Sequence, residues 1–308
     1  MRMSNAALFV TATVIWGSTW LGITYQLGVV PPEVSVAYRF ALAAGGLALW
    51  CRARGVPLAF PRADHAYLAA MGATMFGLNY VCVYWAERFV PSGLVAVVFS
   101  TIVFMAPVGM RIAFGTPLTP RTLVAAALGV TGVALLFLPE LDAARHGGMA
   151  ALGVGFGLLG TALATCGNLV AVRNHNAGLP TLPVTAWGMA YGALTAAVVA
   201  AITGVTWTFD PRAPYVISLL YLAAFGSVAA FGAYLTLLSR VGAGPASFVG
   251  VATPVIALLL STLVEGYRWT PIAVLGVVLA IVGNVMALRP GGTRRRAPDP
   301  VPPDGKGR

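Results

Sequence analysis

Ten runs of apolar residues, each roughly a membrane's thickness long as a helix, cover almost the whole of this 308-residue chain. They fall at 6–28, 33–51, 66–85, 93–114, 121–138, 150–172, 182–204, 215–238, 244–264 and 271–288. A helix rises 1.5 Å per residue, so about twenty residues cross a hydrocarbon layer ~30 Å thick. Charged residues make up only 9% of the chain, against about a quarter in a soluble domain. So few charges cannot coat a water-facing surface. A transmembrane barrel would instead show alternating segments of about ten residues, and none are visible. The expected fold is an all-α polytopic membrane protein with ten transmembrane helices. The breaks carry loop chemistry: Pro31-Pro32, Gly55 to Pro61, Pro91, Thr116 to Pro120, Pro139, Pro180, Pro211 and Gly242 to Pro245. All the loops are short, so neighbouring helices run antiparallel and no soluble domain interrupts them.

The net charge of +10 would suit a nucleic-acid partner only if the bases were gathered on one soluble face, and they are scattered through loops and a tail. No nucleic acid is expected as a partner. Cys51, Cys82 and Cys166 lie far apart in or at the ends of apolar runs, as small packing residues rather than a disulfide framework or metal set. His65, His146 and His175 read as loop residues without ligand spacing, so no metal or other cofactor is expected. The first run is too long for a signal-peptide core and lacks a small-x-small cleavage site, so it reads as a helix.

The basic residues orient the bundle. On the N-terminal side lie Arg2, Arg52, Arg54, Arg62, Arg111, Arg121, Arg173, Arg240, Arg289, Arg294, Arg295, Arg296, Lys306 and Arg308. The opposite side has Arg88, Arg145, Arg212 and Arg268. Cytoplasmic loops are enriched in Lys and Arg, which places both termini in the cytoplasm of a plasma-membrane protein. The tail 289–308 is basic and rich in Pro and Gly, and reads as disordered.

The two halves echo each other. Thr119-Pro120 recurs as Thr270-Pro271 and Gly132 as Gly283, each 151 residues later. Phe76-Gly77 pairs with Phe231-Gly232 at an offset of 155, and Pro91 with Pro245 at 154. The chain thus divides into a first repeat over 1–138, a linker over 139–149 and a second repeat over 150–288. Five helices per repeat is odd, so the second copy enters the membrane from the opposite face. Many secondary transporters use such inverted repeats, with a binding site at the repeat interface.

Trp16-Gly17-Ser18 in the first helix, Arg39-Phe40 after Pro31-Pro32 in the second, and the Gly-punctuated hairpins at 103–138 and 254–288 resemble the drug/metabolite transporter superfamily, EamA-type. The resemblance covers about residues 6–288. It implies a ten-helix basket with both termini inside, and export of metabolites, amino acids or drugs. The family pattern has a Pro in the fourth helix and a Glu thirteen residues later; here those places hold Val103 and Thr116. In the second repeat Pro254 is kept, but the Glu place holds Tyr267, with Glu265 two residues earlier. Pro107 supplies a kink from a shifted position on this reading.

Arg39 is the sharpest candidate for a site. It sits inside an otherwise uncharged run, and a guanidinium in hydrocarbon normally faces a bundle interior or a watery cavity; the bland alternative is snorkelling to the interface. Trp16 and Ser18 in the first helix, Asn79 and Tyr80 in the third, and Ser100 in the fourth are further cavity candidates. Asn168 in the sixth helix, Trp187 and Tyr191 in the seventh, Tyr234 in the eighth and Thr253 in the ninth complete them. Each also has a packing reading, because polar groups often bond across helices. Pro107 and Pro254 are candidates for kinks or gates, since a helix proline frees a carbonyl that needs protein or water to satisfy it. Gly153/Gly157 and Gly188/Gly192 have the spacing of close helix packing. Gly155-x-Gly157-x-x-Gly160 formally matches a dinucleotide fingerprint but lacks the preceding strand and is rejected.

These observations point to an inner-membrane secondary transporter that exports a small metabolite, amino acid or amphipathic solute by alternating access around a mostly apolar central cavity. An integral membrane enzyme and a non-transporting scaffold are the alternatives. The enzyme would need a nucleophile with its base, or a metal site, and the sequence shows neither. No Asp, Glu or His sits in mid-membrane, so the driving force is not written in the sequence, and a facilitated route is the simpler expectation.

Overall fold

A computed structural model describes residues 3–144, 149–241 and 243–288. Every regular element among them is helical, and they form ten rods. These are α1 (Asn5–Thr24), α2 (Pro32–Ala53), α3 (Arg62–Glu87), α4 (Ser92–Phe114), α5 (Pro120–Ala144), α6 (Ala150–Asn176), α7 (Thr181–Thr203), α8 (213–241), α9 (243–265) and α10 (Pro271–Leu288). Eight are long and apolar enough to cross a membrane; α5 and α10 contribute shorter apolar stretches, Pro120–Leu136 and Pro271–Ala287. Ile112 and Ile202 are 80% and 79% exposed, an arrangement that suits hydrocarbon and not water. The expected linker lies partly, and the tail wholly, outside the described residues.

Local chemistry sets the ends of these rods. Ser4 caps α1 by accepting the Ala7 amide at 3.1 Å, meeting one of the donors that a helix start leaves free. The recurring Thr-Pro pairs are caps of the same design. Thr119 Oγ1 accepts the Thr122 amide and Thr270 Oγ1 accepts the Ala273 amide, both at 3.2 Å, while each proline takes the first helical position, where its missing N–H costs nothing. Just upstream, Gly115 and Gly266 end α4 and α9 with φ of +69° and +71°, a conformation that favours glycine. These too are 151 residues apart.

The repeat is visible in the packing. α5 and α10, counterparts in the two halves, share the most extensive helix–helix contact, and the counterparts α2 and α7 also pack on each other. α3 packs on α6 and α7 as α8 packs on α1 and α2, and α1 packs on α9 as α6 packs on α4. At the α5–α10 crossing a Cβ on Gly132 would lie 2.5 Å from both the Gly276 oxygen and the Ala280 nitrogen. A Cβ on Gly283 would lie 2.7 Å from the Ala125 oxygen and 2.8 Å from the Gly129 nitrogen. Shifting by 151 residues, forward from α5 and backward from α10, converts the first set of positions into the second, so the contact is reciprocal, as a two-fold axis requires.

α3 and α8 each contain a π-helical stretch, at Gly72–Leu78 and Leu222–Ala229. These pair Phe76-Gly77 with Phe225-Gly226 and displace the pairing with Phe231-Gly232 expected from the sequence. Two Phe-Gly steps lie six residues apart in α8, and only the backbone shows which one is the counterpart. Within α4 the regular helix breaks at Ser100–Thr101, between Ser92–Phe99 and Ile102–Phe114. Pro107 lies inside the second piece, so the interruption falls before the proline. The glycines of α6 and α7 meet neighbours closely, as their spacing suggests: a Cβ on Gly192 would lie 2.5 Å from Phe76 Cβ.

Candidate functional site

Arg39 lies one third of the way along α2, and its side chain is buried to 1% exposure. It does not face lipid and does not reach the interface. Its guanidinium carbon stands 4.6 Å from the centre of the Tyr80 ring and 5.2 Å from that of Phe40. Both π stretches converge here. A Cβ on Gly226 would come 3.5 Å from Arg39 Nη2 and 2.8 Å from Thr19 Cγ2, so glycine lets the α8 backbone close on the guanidinium. Tyr80 leaves the end of the α3 stretch on another side. π turns of this kind concentrate at functional sites. Arg39 Nε and Nη1 are buried without a hydrogen-bond partner, and no carboxylate among the described residues comes within ion-pairing distance.

From Arg39 an aromatic row runs across the bundle. Tyr80 meets Phe40 at 4.7 Å between ring centres, Phe40 meets Phe76 at 5.4 Å, and Phe76 meets Phe231 at 6.3 Å. Phe231 then meets Trp16 at 5.2 Å, and Trp16 meets Tyr234, also at 5.2 Å. Trp16 Nε1 donates to the Gly226 carbonyl at 3.1 Å, tying the far part of the row back to the backbone beside Arg39. The row draws on α1, α2, α3 and α8, so it spans the interface between the repeats. Arg39, Tyr80, Trp16 and Tyr234 are brought together by it. Ser18 flanks it, its hydroxyl 2.6 Å from that of Tyr221.

The remaining candidates stand apart. Asn79 is buried next to Tyr80 and donates to the Met75 carbonyl at 2.9 Å, with Oδ1 left without a partner. Ser100 donates to the Val97 carbonyl at 2.7 Å. With Pro254 it lines a minute recess between α4, α9 and α10 that also includes Asn284. Thr253 donates to the Val249 carbonyl at 2.8 Å within its own helix. Asn168 is half-buried on α6 and shares no hydrogen bond with the other candidates. Trp187 and Tyr191 belong to a cage at the opposite end of the bundle. The Tyr191 hydroxyl is 2.9 Å from His65 Nδ1, Trp187 meets His65 at 4.8 Å between ring centres, and Trp187 Nε1 donates to the Leu58 carbonyl at 2.8 Å. His65 therefore sits in the first turns of α3 and not in a loop, and His175 closes α6; His146 lies outside the described residues. The larger hollow, about 510 Å³, is an apolar groove on the flank, lined by α4, α5 and α6, and holds only Thr101 as a polar residue.

Two residues that the sequence left at helix ends matter more than their position suggested. Glu33 and Glu87 are 3% and 8% exposed. Glu33 Oε1 accepts from Trp85 Nε1 at 2.8 Å, while Oε2 and both Glu87 oxygens have no partner. The Tyr84 hydroxyl, fully buried, lies beside Arg39. Nearby, Glu265 at the end of α9 accepts from the Ser92 hydroxyl at 2.5 Å and from the Ser92 amide at 3.2 Å. This joins the start of α4 to the end of its counterpart across the repeats. Only the three-dimensional packing reveals that these carboxylates turn inward.

The EamA-like transporter family matches this chain twice, over residues 3–138 and 151–289. The inner membrane transporter YedA of Escherichia coli is 30% identical over 89% of each chain. A protein named a probable amino-acid metabolite efflux pump, also from Escherichia coli, is 25% identical over 94% of this chain and 97% of its own. PagO of Salmonella typhimurium is 24% identical over 93% of both. A solved crystal structure superposes with a TM-score of 0.64 over 93% of this chain and 97% of that one, at 18% identity, which supports the fold. With ten apolar rods, a reciprocal two-fold packing and two family matches in tandem, the chain belongs to the EamA-like transporter family of multi-pass membrane transporters.

Proposed function

We propose that the protein exports a small amphipathic solute bearing a carboxylate or comparable anionic group, by alternating access between the two repeats. Arg39 holds the anionic group and the aromatic row accommodates the apolar part. The observation that carries this reading is the Arg39 guanidinium, buried with two nitrogens unpartnered at the head of that row. A buried cation without an anionic partner is costly, and guanidinium pairs with carboxylates through two parallel bonds. Both termini face the cytoplasm on this reading, supported by the excess of basic residues on the N-terminal side. The efflux name of one relative supports the outward direction. No catalytic role is assigned: among the described residues, the unpartnered groups around Arg39 do not set a nucleophile beside a base.

The experiment is a metabolite comparison of cells with and without the gene, followed by reconstituted flux of the solute that accumulates. Arg39→Ala is expected to reduce that flux about 10- to 100-fold, the equivalent of one lost charge-assisted bond pair, at normal membrane levels. Unchanged flux would remove Arg39 from the solute path, and product formation in place of flux would replace the transporter reading with an enzyme.

A further inference from the structure

Resting on the reading of Arg39 as the anion-binding group, we propose that Glu87 is a proton-exchanging carboxylate that competes with the solute's anionic group for Arg39, so that transport is linked to protons. Glu87 ends α3 with both oxygens buried and unpartnered. Tyr84 precedes it by about one turn, is fully buried, and lies within electrostatic reach of both Glu87 and Arg39. α2 and α3, which carry the two groups, pack on each other, and the buried acid and the buried guanidinium lie within electrostatic reach of each other. A carboxylate there has two ways to avoid an uncompensated charge: pairing with Arg39 or taking a proton. When a solute carboxylate holds Arg39, only the second remains. One proton then bonds to a Glu87 oxygen, and it leaves to water when the solute departs and Glu87 regains the guanidinium. By linkage, protons and solute affect each other's binding equally.

The other charged and titratable groups around Glu87 are consistent with this. α2 contributes Arg39 and Glu33, the latter fixed to Trp85. α8 contributes Tyr215, whose hydroxyl meets that of Ser35 at 3.0 Å. α9 contributes Glu265, which is engaged by Ser92 and lies within electrostatic reach of Glu87. On α3 itself, Tyr84 lies one turn away, and Arg88, the next residue, turns over the Trp85 ring at 4.5 Å. The facing part of α6, residues 150–160, has no ionisable side chain. Arg39 is thus the cation on offer to Glu87 from the elements packed against it. Ionising Glu87 also sets a second negative charge near the Glu265–Ser92 link, which ties α4 to α9.

The test is infrared titration of the full chain in lipid, following the carbonyl stretch of protonated carboxylic acids in the native protein and in Glu87→Gln, Glu33→Gln and Arg39→Gln. A titrating band is expected in the native protein, absent from Glu87→Gln and retained in Glu33→Gln. In Arg39→Gln it should persist to a pH higher by about one unit or more, the order of shift a lost opposite charge produces. Benzoate, as the carboxylate probe, should extend the band to higher pH in the native protein but not in Arg39→Gln. A band that survives Glu87→Gln, or one indifferent to both Arg39→Gln and benzoate, overturns the proposal. Such a failure alongside lost flux in Arg39→Ala leaves the solute reading intact. Retained flux in Arg39→Ala would sink the solute reading whatever the spectra show.

Discussion

The two ends of the bundle treat buried polarity in opposite ways. At the end near the N-terminus, His65, Tyr191 and Trp187 have bonded partners, and Asp64 lies 3.7 Å from Arg173. Toward the far end, Arg39, Tyr84 and Glu87 are more deeply buried, yet several of their polar atoms bond to nothing. Satisfied polar groups hold helices together, whereas unsatisfied ones burden the fold unless a function retains them. On the proposed reading the cage at the near end is structure and the far cluster is site, although both are aromatic and both looked alike as sequence.

Substitutions can break that contrast. The largest effect is expected from Arg39→Gln, with flux of the identified solute down at least about tenfold, while His65→Gln stays within about twofold. Equal losses would erase the distinction between the ends. Tyr84→Phe removes the buried hydroxyl beside Arg39; flux should fall about fivefold, with thermal stability changed by less than about 1 kcal/mol, if that hydroxyl serves the solute or Glu87. Tyr191→Phe should show the reverse, a loss of about 0.5–1 kcal/mol of stability with flux preserved, measured by unfolding of the reconstituted protein. The smallest effect concerns the far-end loop before α8. There the Arg212 side chain bonds Asp210 at 2.7–3.0 Å and holds its carboxyl below the usual aspartate range. Because the folded value is depressed, this brace is fully present above the ordinary aspartate value of about 4 and lost only as pH falls through the lower folded value. Amide exchange in residues 205–212 should thus be indifferent to pH between neutral and about 5 once the intrinsic rate is corrected.

Much of the fold could be read from the chain because hydrocarbon imposes it: apolar runs set the rods, and the Thr-Pro caps and their following glycines set the repeat. The offset of 151 proved to govern backbone contacts as well as letters. The π stretches were not legible, since an extra residue in a turn shifts the phase of a hydrophobic pattern, and in helices apolar on most faces that shift leaves no readable mark. Arg39, Trp16, Tyr80 and Tyr234 could be singled out because charge and aromatic mass at membrane depth are rare. Which of them meet depended on the rotation of α3 and α8, which those π stretches alter. Glu33 and Glu87 were passed over because position in a run says how deep a residue lies along the membrane, not whether it points into the protein. Trp187 and Tyr191 stand apart from that row, because aromatic rings near a helix start serve a cage as readily as a path.

The glycine seam between α5 and α10 constrains how such a molecule can move. Backbones that meet with no room for a methyl group cannot slide past each other without first separating. The pair therefore behaves as a single fixed post. Any rocking that exposes Arg39 first to one side of the bilayer and then to the other must be done by the remaining eight rods turning about it, and a bulkier residue at Gly132 or Gly283 would shift the fulcrum before it touched the solute.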